Sequence, residues 1–253
     1  MIWVPLLLVA FVVAGVGCTR ICRASLAVAR PHEASGGSGE LTVGEAAYLA
    51  GGPLRVTDLT LVSLHRKRRL LLAHTGWATV VDATGHGGEG DALERAVFGA
   101  IGPAGQSSIP AVRPVVAAAD AVRSLADGLV DRGLAVSEAG RREVAAALRA
   151  VRAGFLLSLA LGTASALLVP AGERGPVLAG FALPLAGSGL CLLIGLTEVY
   201  PHTRWASPAG QRLLAGLSPA DPLTALATRG PAVLEPELRA ALLGGESGRR
   251  SRK

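Results

Sequence analysis

The chain has little of what water-soluble domains are made of. Of its 253 residues only 17% are charged and half are hydrophobic, where a soluble domain carries about a quarter charged residues. Three cysteines are too few for a disulfide-stapled secreted scaffold. Aromatic residues make up 4% and there is one methionine, so the stacking side chains of single-strand nucleic-acid binders are missing. Low hydrophobicity and high charge, the signature of disorder, are both absent. Lysine occurs only at Lys67 and Lys253, so the net charge of +6 is an arginine balance. An Arg, Ala and Gly bias accompanies GC-rich coding and by itself says little about partners.

What is present is three long uncharged runs. A bilayer-spanning helix needs about 20 mostly apolar residues. Residues 1–19 supply one such run, 154–172 a second and 177–197 a third. Only Glu173, Arg174, Gly175 and Pro176 separate the last two, which makes a tight helical hairpin, and Pro184 predicts a kink in its second arm. No Lys or Arg precedes the first run, and Gly15-Val-Gly-Cys18 lacks the leucine expected before a lipoprotein cysteine. The first run therefore reads as an uncleaved anchor rather than a signal peptide. Orientation follows the flanking arginines. Arg20, Arg23 and Arg30 follow the first run, Arg141, Arg142, Arg149 and Arg152 precede the second, and His202, Arg204 and Arg212 follow the third. The expectation is a multi-pass protein of the cell membrane with its N-terminus outside. Residues 20–153 and the tail would then be cytoplasmic.

The middle of the chain begins with a flexible linker over 20–40, centred on Ser35-Gly-Gly-Ser-Gly39. Thr42-Val-Gly-Glu45 is a capping box, with Leu41 placed to staple against Ala46. Tyr48 and Leu49 complete a short apolar face, Gly51 and Gly52 stop the helix, and Pro53 suits the first turn of the next. That second helix is expected to reach about Arg68, with Val56, Leu59 and Val62 beside a polar stripe of Thr57, Thr60 and Ser63. Leu70-Leu-Leu and Thr79-Val-Val around His74-Thr-Gly-Trp77 read as a β-hairpin. Helix, turn, helix, hairpin is the outline of a winged-helix unit. A looser second pass of the same plan gives possible repeats over 41–82 and 91–136. Asp91 starts a helix, 102–110 are turn-rich, Pro114 opens a long helix striped by Val115, Val122, Leu125 and Leu129, and Leu134-Ala-Val136 stands where the first strand stood. The helical domain thus covers 41–137. A juxtamembrane helix over 138–153, capped by Ser137, runs into the second span. Residues 198–253 read as a basic tail.

The segment Glu40-Leu-Thr-x-x-Glu45-Ala-Ala-Tyr48-Leu-Ala-Gly51-Gly52-Pro53, followed by an Arg and an apolar helix, resembles a family of uncharacterised actinobacterial membrane proteins. The likeness covers roughly residues 1–217. It implies an N-terminal anchor, a helical region and a hydrophobic hairpin, and it brings no catalytic residues with it. Its signature residues here are Thr42, Glu45, Tyr48, Gly51, Gly52 and Pro53, in structural roles.

Candidate chemistry is sparse. Arg66, Lys67, Arg68 and Arg69 are the densest charge of the middle region. They suit a solvated helix end that opposes the helix dipole, an anionic lipid or a DNA phosphate. Arg249, Arg250, Arg252 and Lys253 are a second candidate for anionic lipid. Residues 20–153 carry 16 basic and 13 acidic groups, too even a balance for a nucleic-acid footprint, and Thr57, Thr60 and Ser63 are a poor base-reading set. The Gly85–Gly90 loop lacks the Gly-Lys-Ser/Thr ending of a phosphate loop. The five histidines have no metal-ligand spacing. Cys18 and Cys22 lie one helical turn apart, and Cys191 falls inside the third span. No nucleophile or metalloprotease motif occurs, and the spans hold none of the ionisable residues that mark transport pathways. Gly162, Ala166, Gly187 and Gly195 suit close helix packing or a homo-oligomer. The expectation is a mainly α membrane protein with no cofactor and no catalysis. It would be a scaffold or signal-relay protein whose partners are membrane lipids and an unidentified protein. The alternatives are a membrane-tethered winged-helix-like regulator contacting DNA and an accessory subunit of a membrane enzyme or transporter.

Overall fold

The structure is a computed structural model that describes residues 3–29, 40–82, 89–170, 172, 174–197 and 203–250. The centre of the linker, His86 and most of the glycine-rich loop, His32, His202, Glu173, Glu198, Arg252 and Lys253 lie outside the described residues.

The chain is mainly helical. Its elements run α1 (Trp3–Ala29), α2 (Val43–Gly51), α3 (Pro53–Arg66), β1 (Leu70–Ala73), β2 (Trp77–Val80), α4 (Glu89–Ile101), β3 (Gln106–Ser108), α5 (Ile109–Ala117), α6 (Asp120–Asp131), α7 (Glu138–Leu168), α8 (Arg174–Thr197), α9 (Pro208–Ala215), α10 (Pro222–Arg229) and α11 (Pro236–Arg250). A 3-10 turn at Pro231–Val233 precedes α11. They divide into two units. One comprises Met1–Pro31 and Val136–Arg204, the other His32–Ala135 and Trp205–Lys253.

In the first unit α1, α7 and α8 pack together, and each is long and apolar enough to cross a membrane. The helix of α1 continues past the expected anchor to Ala29. Ser137 caps α7, its Oγ accepting from Gly140 N at 3.1 Å. The helix then runs for 31 residues without a break, about 46 Å at 1.5 Å per residue. Its buried residues Val144, Ala147, Val151, Gly154, Ser158, Gly162 and Ser165 recur every three or four positions, the spacing of a helix–helix seam. Pro184, where a kink is expected, lies inside α8, which is helical on both sides of the ring, and Ser188 Oγ donates to Pro184 O at 2.6 Å.

Small residues set the spacing of this seam. A Cβ on Gly154 would lie 3.1 Å from Val13 Cγ1, and one on Gly162 would lie 3.2 Å from Phe181 Cγ. Ser158 and Ser165 are buried with Oγ atoms that have no hydrogen-bond partner. Large apolar side chains point outward instead: Leu8 is 61% exposed, Leu167 75% and Leu183 67%. Glycine and unpartnered serine within the apolar seam, and leucine outside, depart from the pattern of a water-soluble bundle. It is the arrangement expected where the solvent is hydrocarbon and close backbone approach drives packing. Gly162→Leu is therefore expected to cost about 1–3 kcal/mol by overpacking against Phe181. Ser158→Ala should change stability by less than about 1 kcal/mol, because the hydroxyl has no partner to lose. Unfolding titrations in mixed micelles separate the two.

The second unit has its own core. The capping box is complete: Glu45 N donates to Thr42 Oγ1 at 3.2 Å and Thr42 N donates to Glu45 Oε2 at 2.9 Å. The second helix ends at Arg66, two residues before the expected Arg68, because Arg68 adopts φ 59° and Arg69 N returns to Leu64 O at 3.0 Å. β1 and β2 form the expected hairpin, with Gly76 N bonded to Ala73 O at 2.9 Å across the turn. β3 adds a third antiparallel strand beyond β2. Leu70, Leu72 and Ala78 face the core, whereas Leu71 and Trp77 face outward.

Four expectations from the sequence are corrected in this unit. Residues 102–110 are not only turns, since β3 lies among them and α5 already starts at Ile109, with proline in its first turn. The long helix from Pro114 is two helices. Ala119 is extended (ψ 153°) and starts α6 at Asp120, while Val115 is exposed. Leu134 to Val136 form no strand, and Ala135 makes a single bridge to Ala206. The largest correction is the tail. Residues 208–243 build α9, α10 and the start of α11, and Ala206, Leu226, Ala227, Leu234, Ala241 and Leu242 are buried in the same core as α2 and α3. Their helix starts are conventional: Ser207 Oγ accepts from Gly210 N at 3.2 Å, and Asp221 Oδ2 from Leu223 N at 2.9 Å. Apolar faces that cannot stay in water find partners there, α9 and α10 on α2, α10 also on α3, and α11 on α5 and β1.

Candidate functional site

The basic turn after α3 is built by the left-handed residue Arg68, which ends the helix and starts β1. Its four cations do not act alike. Lys67 Nζ lies 2.7 Å from Glu94 Oε1, and Arg69 Nη1 pairs with Glu94 Oε2. The Arg69 guanidinium also sits 5.0 Å from the centre of the Phe98 ring, a cation–π contact. Arg66 is 3.9 Å from Asp221, both half exposed. Arg68 is exposed and makes no ion pair among the described residues. The turn is thus largely a clasp on α4, with Glu94 mostly buried beneath it. Glu94→Ala is expected to cost about 2–3 kcal/mol, since it strands the shielded Arg69. Lys67→Gln should cost under about 1 kcal/mol because its head remains in water. Chemical denaturation of both variants checks the difference. Arg249 and Arg250 end α11, and nothing described brings them to the basic turn.

The signature residues of α2 and its exit are brought together, and their role is packing. Glu45 serves the capping box and also pairs with Arg132 at the end of α6. Tyr48 meets Trp205 edge to face, with ring centres 5.5 Å apart. Gly52 has φ 74° and ψ −162°, and a Cβ there would overlap the Trp205 indole. Pro53 opens α3. A Cβ on Gly51 would press on the Arg55 side chain. Arg55 Nη1 in turn donates to Leu226 O at 3.2 Å and Ala227 O at 3.4 Å, a cation on the negative end of α10.

Within α3, Asp58 is buried. Arg113 Nη2 donates to its Oδ2 at 2.8 Å, and Arg113 Nε lies 2.8 Å from its Oδ1. Burial pushes the Asp58 carboxyl above its ordinary range, against the opposing pull of Arg113 and Arg55. This pair went unseen in the sequence, although one signal was there: a lone aspartate in the apolar run Val56–Leu64. Thr57 and Thr60, read as one stripe of a possible recognition helix, are also buried. Their hydroxyls donate to Pro53 O at 3.0 Å and Val56 O at 2.9 Å.

A cleft of about 310 Å³ lies beside β1, with His65, His74, Glu235 and Glu237 among its lining residues. His65 Nδ1 is 3.1 Å from Leu70 O and 3.4 Å from Leu72 N, so this ring occupies the strand edge. No group of three or more His, Cys, Asp or Glu able to hold a metal ion occurs among the described residues. No family model, curated protein or solved structure matches the chain.

Proposed function

We propose that this chain is a multi-pass cell-membrane protein, N-terminus outside, that presents its second unit in the cytoplasm as a non-catalytic scaffold or signal-relay domain. The observation that carries the reading is the make-up of that unit's core. It is built from segments on both sides of α7 and α8, so an even number of crossings must separate them. A membrane-spanning α7–α8 hairpin provides two, and α1 adds a third that leaves the N-terminus opposite. The outward leucines of the first unit support the membrane as its solvent. Arg20, Arg23, Arg141, Arg142, Arg149 and Arg152 favour the cytoplasm for the second unit.

The unbroken course of α7 from its Ser137 cap through its apolar half supports relay along that helix. The partners we propose are an unidentified cytoplasmic protein, membrane lipid and a second copy of the chain. The likeness of residues 40–53 to the actinobacterial membrane proteins belongs to the same proposal. The order helix, helix, hairpin favours a winged-helix-like description and, with it, a DNA-contacting regulator as second reading. The burial of Thr57, Asp58 and Thr60 in α3 weighs against that reading, since a recognition helix must offer such side chains to a groove.

A topology reporter fused after Lys253, combined with crosslinking and pulldown from native membranes, tests the proposal. A cytoplasmic reporter with one dominant protein partner is the expected result. An externally active reporter overturns the topology. Salt-sensitive DNA binding by the purified full chain, with no protein partner, replaces scaffold by regulator.

A further inference from the structure

The outer face of the hairpin is apolar and uncovered. Leu71 is 54% exposed, Trp77 46% and Val81 66%. The register Leu71↔Thr79 and Ala73↔Trp77 puts Leu71 and Trp77 on the same side of the sheet, and Val81 follows directly on the end of β2. All three stay outside the hydrophobic core cluster of the unit. Exposed tryptophan and leucine on one side of a small sheet, with an exposed valine just past its second strand, are apolar surface of the kind that marks an interaction site.

We infer that this face docks into the interfacial layer of an anionic bilayer. Three features choose lipid as the occupant. Tryptophan is the side chain that settles at the level of the headgroups, with its ring among acyl carbons and its N–H in the polar layer. Arg68, exposed and without an ion pair among the described residues, precedes Leu71 by three residues, whereas Arg66 and Lys67 beside it are engaged by Asp221 and Glu94. The free cation of Arg68 is complementary to a lipid phosphate. Covalent continuity with three apolar helices also keeps the sheet at high effective concentration near a bilayer. Leu71 also lines the cleft that carries Glu235 and Glu237, so attraction to anionic lipid does not rest on charge alone. Apolar insertion of Leu71, Trp77 and Val81 supplies the affinity, and Arg68 sets the preference for anionic lipid. The inference rests on the membrane-spanning reading proposed above.

The test uses the full chain in vesicles. The three tryptophans are Trp3, Trp77 and Trp205. Trp3→Phe leaves Trp77 as the exposed emitter and Trp205, packed on Tyr48, as an internal reference. The protein is reconstituted into phosphatidylcholine vesicles with about 30% phosphatidylglycerol and brominated acyl chains. Flotation of alkali-washed vesicles reports first whether the spans are integrated; failure there removes the membrane reading itself. In integrated protein, roughly half of the emission is expected to be quenched, as befits one interfacial tryptophan of two, and Trp77→Phe abolishes that fraction. Arg68→Asn, a residue that tolerates positive φ, lowers the quenching to the level seen in pure phosphatidylcholine. Both side chains are exposed, so an unchanged urea midpoint confirms the fold of each variant. Integrated protein whose quenching does not depend on Trp77 overturns the inference and leaves the spans intact. Trp77 emission that is unquenched but shifts on dilution with lipid also overturns it, in favour of contact between copies of the chain.

Discussion

Gly52→Ala is expected to destabilise the second unit by about 3–5 kcal/mol. Two costs add. The backbone there, φ 74° and ψ −162°, is a region essentially confined to glycine, worth about 1–3 kcal/mol of strain to any other residue. A methyl group at this point also overlaps the Trp205 indole, and overpacking costs about 1–3 kcal/mol more. Against a total stability of about 5–15 kcal/mol for a domain, such a variant accumulates poorly or unfolds at low denaturant. Trp205→Ala alone should cost about 3–5 kcal/mol through the cavity it leaves. The double variant should be less damaged than the sum, because the overlap vanishes while the strain remains. Urea titrations of the four proteins, read by the proteolytic resistance of residues 40–250, measure the coupling. Strict additivity would refute the contact as the cause.

Arg113→Met is the second large effect, with an expected loss of about 3–5 kcal/mol. It leaves Asp58, whose side chain is 3% exposed, as a buried charge without its counter-ion, the costly way to break a buried pair. Replacing both residues, Asp58→Leu with Arg113→Met, should recover much of the loss, because the pair itself repays its desolvation only in part. The raised carboxyl of Asp58 says the same. Its folded value lies above the ordinary 3.8, so the folded state holds the proton more tightly than the unfolded chain. The stability this group contributes is fully present below the unfolded value and is lost as pH rises through the folded one. Subtracting the pH profile of Asp58→Asn from that of the wild type should therefore reveal a term that falls with rising pH above about pH 4. A term that rises there would show that the ion pair outweighs the burial.

How much of this was legible beforehand depends on range along the chain. The capping box at Thr42 and Glu45, the Ser137 cap, the hairpin around Gly76 and the glycine exit from α2 were readable because each is decided within a few residues. The three apolar helices were readable because twenty consecutive residues carry the signal. The break at Ala119 was not, since nothing local in Ala117-Ala-Ala119 opposes a continuous helix. The basic turn was readable as charge but not as a clasp. Arg69 meets its carboxylate 25 residues away, and only the approach of α4 supplies it. The tail was misread for the same reason. Its short helices have modest apolar faces, and their destinations, α2 and α3 for α10 and α5 and β1 for α11, lie far away along the chain.

By itself, then, the sequence determined the membrane-type composition, the three long apolar helices, the helix caps and the hairpin, all products of local spacing and backbone preference. The tertiary structure decided which side of the ledger each remaining residue falls on. Arg55 reaches a helix end 171 residues further on, Asp58 finds Arg113 across 55 residues, and Trp205 closes on Gly52. Burial and ion pairing depend on which distant surfaces exclude water from each other, and spacing along the chain does not encode that.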